Sequence, residues 1–239
     1  MIKRIITLFL SAMLCCCLAG CFEKPADTLS DLADVNDKEI YLMENDIYVP
    51  YIVLDNDYKG NILLLRKELM SGLRSVSDHS SEYENSPIDK YLSSDFLAMF
   101  SDEISNQIIS TEIEVTSKEA LYQAGKDTHT ITRKVFLLSF SEVNYDEHSM
   151  AAEEGVSLSY FSDDQSRIAY KDGKPCSWWL RTPYTNYDSV TWSVGADGMK
   201  TELSSATENG IRPAFYLSGD VDIKESTDVI DGETVFVIE

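Results

Sequence analysis

The chain has 239 residues and a formal net charge of −21, from 41 Asp and Glu against 20 Lys and Arg. Such an acidic body repels phosphate backbones and anionic headgroups, so we expect no nucleic acid among its partners. A hydrophobic content of 44%, with 13 tyrosines and 3 tryptophans, excludes an intrinsically disordered chain and predicts a folded core rich in aromatic residues.

Residues 1–20 follow the pattern of a signal peptide, with two basic residues before a short apolar run. The run, residues 5–20, is shorter than the about 20 residues that a helix needs to span a bilayer. Residues 18–21, Leu-Ala-Gly-Cys, resemble the lipobox of bacterial lipoproteins. The resemblance implies a diacylglyceryl thioether on Cys21, which would anchor the chain on the extracytoplasmic face of the cell membrane.

The positions of the cysteines indicate export and lipid attachment rather than disulfide cross-linking. Three of the five lie in the apolar run and would leave with the signal peptide, and Cys21 would carry the lipid. Cys176 is then left without a disulfide partner, and we interpret it as a small buried thiol. The alternative is an ordinary secretory signal with incidental cysteines.

The rest of the chain is predicted to form a tether and one domain. Residues 21–37 are acidic, include a proline and show little periodicity, which is typical of a linker that lifts a domain off the membrane. A helical turn near residues 29–33 would not change that role. Residues 38–239 are predicted to form a single α+β domain.

Three β-branched and aromatic runs between residues 39 and 66 predict three strands: EIYLM, IYVPYIVL and NILLLR. Pro50 removes a ladder donor from the second run, which predicts an edge strand or a bulge. Residues 55–61 begin like an EF-hand loop, but Lys59 and Arg66 stand where calcium ligands are required. We therefore predict a hairpin turn there, with its glycine at positive φ.

A helix is predicted to begin at Ser86, where a capping serine precedes a proline. Its apolar face consists of Ile88, Tyr91, Leu92, Phe96, Met99 and Phe100, at three- and four-residue spacing. Ser101 predicts the cap of a second, shorter helix. Residues 112–115 and 134–140 predict strands, and the C-terminal DVIDGETVFVIE predicts a hairpin.

Three regions resemble, in the same order, a family of bacterial exported domains that is known only as a domain of unknown function. They are YENSPIDKYLSSDFLAMFSDEISNQI (83–108), KVFLLSFSEV (134–143), and the pair WWLRTP (178–183) and GIRPAFYL (210–217). That family is similar, more remotely, to the formylglycine-generating-enzyme branch of the C-type-lectin-like fold. The resemblance implies short twisted antiparallel strands, one or two helices and long loops.

Enzymes of that branch hold copper with two cysteines near the C-terminus, whereas this chain has only Cys176, before the WWLR segment. We therefore expect no cofactor and no enzymatic activity. For the signature residues Trp178, Trp179, Arg181 and Arg212 we expect structural roles, with buried arginines tying loops together. The alternative is a binding platform, because tryptophan faces stack on sugars and cations.

Histidines and acidic pairs give no clear metal or catalytic site. His79, His129 and His148 lack zinc spacing and lie in polar stretches, so we interpret them as solvated. The acidic pairs 146–147 and 163–164 are more typical of a solvated acidic face than of a calcium site built from several loops. We expect neither catalytic residues nor a metal.

The function expected from these features is recognition by a membrane-anchored, extracytoplasmic lipoprotein. Its ligand would be a protein or a glycan, bound by the polar loops at residues 71–85, 141–176 and 184–189. Two alternatives stay open: a cell-envelope enzyme, either an oxidase or a hydrolase, and a structural component of the envelope.

Overall fold

The structure is a computed structural model that describes residues 27–33, 38–58, 61–123, 125–230 and 232–238. The predicted signal peptide, Cys21 and Gly60 lie outside the described residues. Among the helices that the structure describes, none is both long and apolar enough to cross a membrane.

Strands dominate the described part of the chain. They are β1 (Glu39–Glu44), β2 (Ile47–Tyr58), β3 (Asn61–Arg66), β4 (Thr111–Thr116), β5 (Thr128–Arg133), β6 (Val135–Leu137), β7 (Ala169–Lys171), β8 (Lys174–Cys176), β9 (Trp178–Pro183), β10 (Val190–Val194), β11 (Lys200–Ser204), β12 (Pro213–Ser218), β13 (Lys224–Ile230) and β14 (Glu233–Ile238). The helices are short: α1 (Leu29–Ala33), α2 (Pro87–Tyr91), α3 (Asp102–Gln107), α4 (Lys118–Gln123) and α5 (Asp164–Arg167). The domain is therefore mixed α+β, as predicted.

The largest sheet has seven strands in the order β13-β14-β1-β2-β3-β12-β6. Strands β1 and β14 run parallel, and the other neighbours in this sheet run antiparallel. A three-stranded sheet has the order β11-β10-β9, and two hairpins pair β4 with β5 and β7 with β8. The predicted hairpins at residues 47–66 and at the C-terminus are confirmed by the β2–β3 and β13–β14 pairings.

Pro50 lies in an internal strand, so the prediction of an edge strand is wrong. Strand β2 lies between β1 and β3, but β3 ends at Arg66, and the N–H of Lys67 donates to the Pro50 carbonyl at 3.0 Å. The amide and carbonyl of a strand residue point toward the same neighbouring strand. The position where Pro50 lacks an N–H therefore faces the end of β3, and no hydrogen bond of the ladder is lost. The predicted bulge exists, but it lies between Val53 and Asp55.

The helix predicted at Ser86 is confirmed at its first turn. The Ser86 hydroxyl accepts a hydrogen bond from the Asp89 amide, and Ser101 caps α3 through the Ile104 amide. After α2 the chain continues as a π-helical turn (Leu92–Phe96) and a 3-10 turn (Leu97–Met99). The buried side of this segment carries Ile88, Leu92, Phe96 and Phe100 into the core, as the spacing predicts.

The segment 27–33 is part of the domain, which corrects the predicted tether of residues 21–37. Leu29 and Leu32 are buried in the core at 0% and 2% exposure. The amides of Leu29 and Ser30 donate to carbonyls in the turn that follows β12, both at 2.9 Å. A domain cut at Lys38 would lose both leucines, since the packed chain begins at least as early as residue 27.

The strand predicted over residues 134–140 is shorter than expected. Only Val135–Leu137 pairs with β12, as β6 at the edge of the main sheet. The following residues remain buried, but the Leu138 carbonyl accepts its hydrogen bond from the Arg181 amide of β9, at 2.9 Å. The chain therefore leaves the main sheet at Leu138 and starts the long loop that forms the candidate site.

Candidate binding site

A buried arginine connects this long loop to the sheets. Arg181, on β9, is 1% exposed, and two of its N–H groups donate to the Glu142 carboxylate at 2.6 and 2.8 Å. The other three donate to the carbonyls of Glu114, Leu137 and Glu154, at 2.9–3.0 Å. All five guanidinium N–H groups thus have an acceptor, which is what a fully buried cation requires.

Glu154 lies fully buried beside Arg181 and extends the same set of bonds. One carboxylate oxygen accepts from the amide and hydroxyl of Thr116, both at 2.6 Å, and the other accepts from the Thr182 hydroxyl at 2.7 Å. Burial raises the pKa of the Glu154 carboxyl. The nearby Arg181 guanidinium lowers this pKa again, but only in part. We call Arg181, Glu142, Glu154, Thr116 and Thr182 the Arg181 network.

The other signature residues are also buried. Trp178 and Trp179 are 0% exposed, and their indole N–H groups donate to the carbonyls of Arg167 and Arg74. Neither indole is therefore available at the surface for stacking on a sugar. Both tryptophans contribute to the core instead.

Arg212 is a buried cation with few partners. Its guanidinium carbon lies 5.1 Å from the centre of the Trp178 ring, and its Nε donates to the Arg66 carbonyl at 3.0 Å. Nη1 has no hydrogen-bond partner among the described residues. Burial lowers the pKa of Arg212 to about 10.

An aromatic cluster forms where the long loop meets β10 and the loop before it. Its members are Phe140, Tyr145, His148, Tyr184, Tyr187 and Trp192. Trp192 lies at the centre, with ring centroids 4.7–4.8 Å from those of Phe140, His148 and Tyr184. Tyr187 continues the cluster outward from Tyr184 at 5.5 Å. Such spacings are those of packed aromatic pairs.

The cluster has a buried base and an exposed end. Trp192 is 3% exposed and its indole N–H donates to the Met150 carbonyl, whereas Tyr187 is 54% exposed. Tyr184 and His148 are half-buried between them. The prediction of a solvated His148 is wrong, because its ring packs on Trp192 and its Nδ1 accepts the Met150 amide at 3.1 Å.

The remaining two histidines are exposed. His79 lies in the loop before α2, and His129 lies on β5 with its Nε2 2.9 Å from the Glu84 carboxylate. For these two residues the interpretation as surface histidines is confirmed.

Two clefts open on either side of Tyr145. The first, of about 250 Å³, is lined by Phe140, Ser141, Asn144, Tyr145, Glu147, His148, Ala151, Ala152, Glu153, Gly155 and Ser157. The second, of about 440 Å³, is lined by Asn144, Tyr145, Asp146, Ser162, Asp163, Asp164, Arg167, Met199 and Lys200. The Tyr145 hydroxyl donates to the Gly198 carbonyl, and the Arg167 guanidinium lies 4.5 Å from its ring centre. Tyr145 is therefore held in place as the wall between the clefts.

The predicted binding loops contribute unequally to this face. Loop 141–176 lines both clefts, loop 184–189 supplies Tyr184 and Tyr187 of the aromatic cluster, and loop 71–85 lines neither cleft. Cys176 is half-buried against the core and lines neither cleft.

Three of the four acids in the acidic pairs 146–147 and 163–164 have protein partners. Asp163 caps α5 through the Ser166 amide, Asp164 pairs with Arg167, and Glu147 pairs with Lys126. Within the described ranges, no three side chains of His, Cys, Asp or Glu are grouped so that they could hold a metal ion.

Residues 59–219 match the family called Domain of unknown function (DUF6273), and the chain belongs to this family. The matched region contains the Arg181 network, the aromatic cluster and both clefts, whereas β1, β2, β13 and β14 lie outside it. Comparison with curated proteins and with solved structures finds no match.

Replacing Arg181 is expected to destabilise the domain strongly. Arg181→Met keeps an unbranched apolar stem but removes the guanidinium, which leaves the buried Glu154 carboxylate without its cation, and we expect the free energy of unfolding to fall by about 3–5 kcal/mol. The control is Lys126→Met, which removes an exposed ion pair with Glu147 and should change the free energy of unfolding far less. Urea unfolding followed by circular dichroism measures both. Equal losses in the two variants would contradict a structural role for the network.

Proposed function

We propose that the chain is a bacterial lipoprotein, anchored through Cys21 on the extracytoplasmic face of the cell membrane, whose domain recognises a glycan. Recognition is supported by the aromatic cluster, which lines the first polar cleft with Phe140, Tyr145 and His148 and ends at the exposed ring of Tyr187. Lipid anchoring is supported by the Leu-Ala-Gly-Cys sequence that follows a short apolar run.

The aromatic cluster suits a sugar because sugars have both apolar and polar faces. The C–H face of a pyranose packs on a tyrosine ring, and its hydroxyls need donors and acceptors around that ring. The first cleft offers Ser141, Asn144 and Ser157 together with the carboxylate of Glu153. These groups can both donate and accept hydrogen bonds, as a ring of hydroxyls requires.

The exposed rings are held by bonds deeper in the domain, which lowers the entropy cost of binding. Tyr184 packs on Trp192, whose indole N–H is fixed to the Met150 carbonyl. The amide of Phe140, at the other side of Trp192, donates to the Thr182 hydroxyl of the Arg181 network at 2.9 Å. Rigid aromatic contacts on a fixed scaffold lose little freedom when a ligand binds.

A C-type-lectin-like architecture belongs to the same proposal. It is supported by short strands, short helices and a binding face built mainly from one long loop, residues 141–176. Binding residues concentrate on loops that a rigid scaffold positions. The fold by itself names no ligand, so the choice of a glycan rests on the aromatic cluster.

Lipid attachment is supported by the charge of the chain. A body with a net charge of −21 is repelled by anionic headgroups, so the protein surface cannot supply the attraction that a peripheral membrane protein needs. Two or more acyl chains on one residue give a stable anchor that does not depend on surface charge.

The recognition proposal predicts that Tyr187→Ala weakens glycan binding about 3- to 10-fold, the value of one aromatic contact. The full chain in a neutral detergent is applied to an array of cell-wall and surface glycans, and affinities for the strongest ligand are then measured by calorimetry. Tyr170→Ala is the matched control, since Tyr170 is also exposed, at 39%, but lies on β7 outside the aromatic cluster. A protein ligand captured with no glycan bound, or equal effects of both variants, would overturn the proposal.

The anchoring proposal predicts that radiolabelled palmitate is incorporated into the chain in bacterial cells and that Cys21→Ser abolishes the label. Cys176→Ser serves as the control, because it removes a thiol outside the lipobox and should leave the label unchanged. Label that persists in Cys21→Ser would contradict anchoring through this residue.

A further inference from the structure

We propose that a third cleft, separate from the aromatic cluster, binds a small oxyanion, a phosphate or carboxylate group. It lies between the α2 segment and the β4–β5 hairpin and has a volume of about 410 Å³. Its lining residues are Asn85, Asp89, Lys90, Ser93, Leu97, Ser110, Thr132, Arg133 and Lys134. We call it the cationic cleft. This site goes beyond the proposed glycan recognition and does not depend on it.

The charge of the cationic cleft is opposite to that of the chain. Its lining holds Lys90, Arg133 and Lys134 against the single carboxylate of Asp89, a net charge of +2 from three cations and one acid. The chain as a whole has twice as many acids as bases, 41 against 20. A local reversal of this kind concentrates anions at the cleft, because the rest of the surface repels them.

Three other clefts of the domain have acidic linings. Two are those on either side of Tyr145, with acids in excess of Lys and Arg in both. The remaining one has Glu112, Glu114 and Glu142 in its lining, with no Lys or Arg. Of these four clefts in the described part of the chain, the cationic cleft alone has a positive lining, so a bound anion would be directed to it.

Two of the three cations are held in fixed positions. Arg133 forms a bidentate pair with the buried Asp89, with both N–O distances at 2.7 Å, and its third nitrogen donates to the Thr132 carbonyl. The Lys134 ammonium donates one hydrogen bond to the Ser105 carbonyl at 2.7 Å, which leaves two of its three donors available. Lys90 is exposed and forms no ion pair with a described residue.

The remaining polar groups complete an oxyanion site. Ser93, Ser110 and Thr132 add hydroxyl donors, and Asn85 adds an amide. Phosphate and carboxylate oxygens each accept several hydrogen bonds, and charge-assisted bonds from lysine are among the stronger ones. The volume exceeds that of the anionic group alone, so the ligand would carry its oxyanion on a small organic part that contacts Leu97.

The test is a titration of inorganic phosphate with the full chain in a neutral detergent, followed by the phosphorus NMR linewidth. We expect saturable broadening that weakens as sodium chloride is added, because the site is open to solvent and salt screens it. A second arm adds acetate. Displacement of phosphate assigns the site to oxyanions of both kinds, and no displacement assigns it to phosphate.

The variant Lys90→Gln with Lys134→Gln should bind phosphate about tenfold more weakly, and Lys90→Gln alone about threefold. The single variant changes an exposed residue, so the test survives if the double variant fails to fold. The matched control is Lys171→Gln with Lys174→Gln, which removes the same charge from the β7–β8 hairpin and should leave the affinity unchanged. Unsaturable broadening, or equal weakening by both pairs, would overturn the proposal.

Discussion

Arg181 satisfies its five N–H groups with acceptors from three separate parts of the chain: the end of β6, strand β4, and two points of the loop that follows β6. A guanidinium that is 1% exposed would be costly without this full set of acceptors. The Glu142 carboxylate and the carbonyls of Glu114, Leu137 and Glu154 would in turn each lose an N–H donor. The cation and the loop therefore depend on each other. We expect the long loop to keep this conformation only while Arg181 is present.

The same dependence reaches the proposed glycan-binding face. Thr182, next to Arg181, donates to Glu154 and accepts from the Phe140 amide, and Phe140 packs on Trp192. Tyr145 follows in the same loop and forms the wall between two clefts. A change at the buried arginine is thus expected to alter a surface that it does not touch.

Local patterns account for what could be predicted from the sequence. The serine caps and the hairpins depend on residues close in the chain, and they are where the sequence places them. Leu29 and Leu32 gave no such signal, because two leucines in an acidic stretch look like a linker until the turn after β12 covers them. The aromatic cluster was missed for the same reason: Phe140, Tyr184 and Trp192 belong to three segments that only the fold brings together.

Native-state hydrogen exchange at the amides of Thr116, Ser139 and Phe140 tests the Arg181 network most directly. These amides donate to Glu154, Glu142 and Thr182, so none of them can open while the network is intact. They should exchange with the same free energy of opening, and the same urea dependence, as the paired amides of β3. Exchange at lower free energy and without urea dependence would show that the loop opens by itself and would contradict the account.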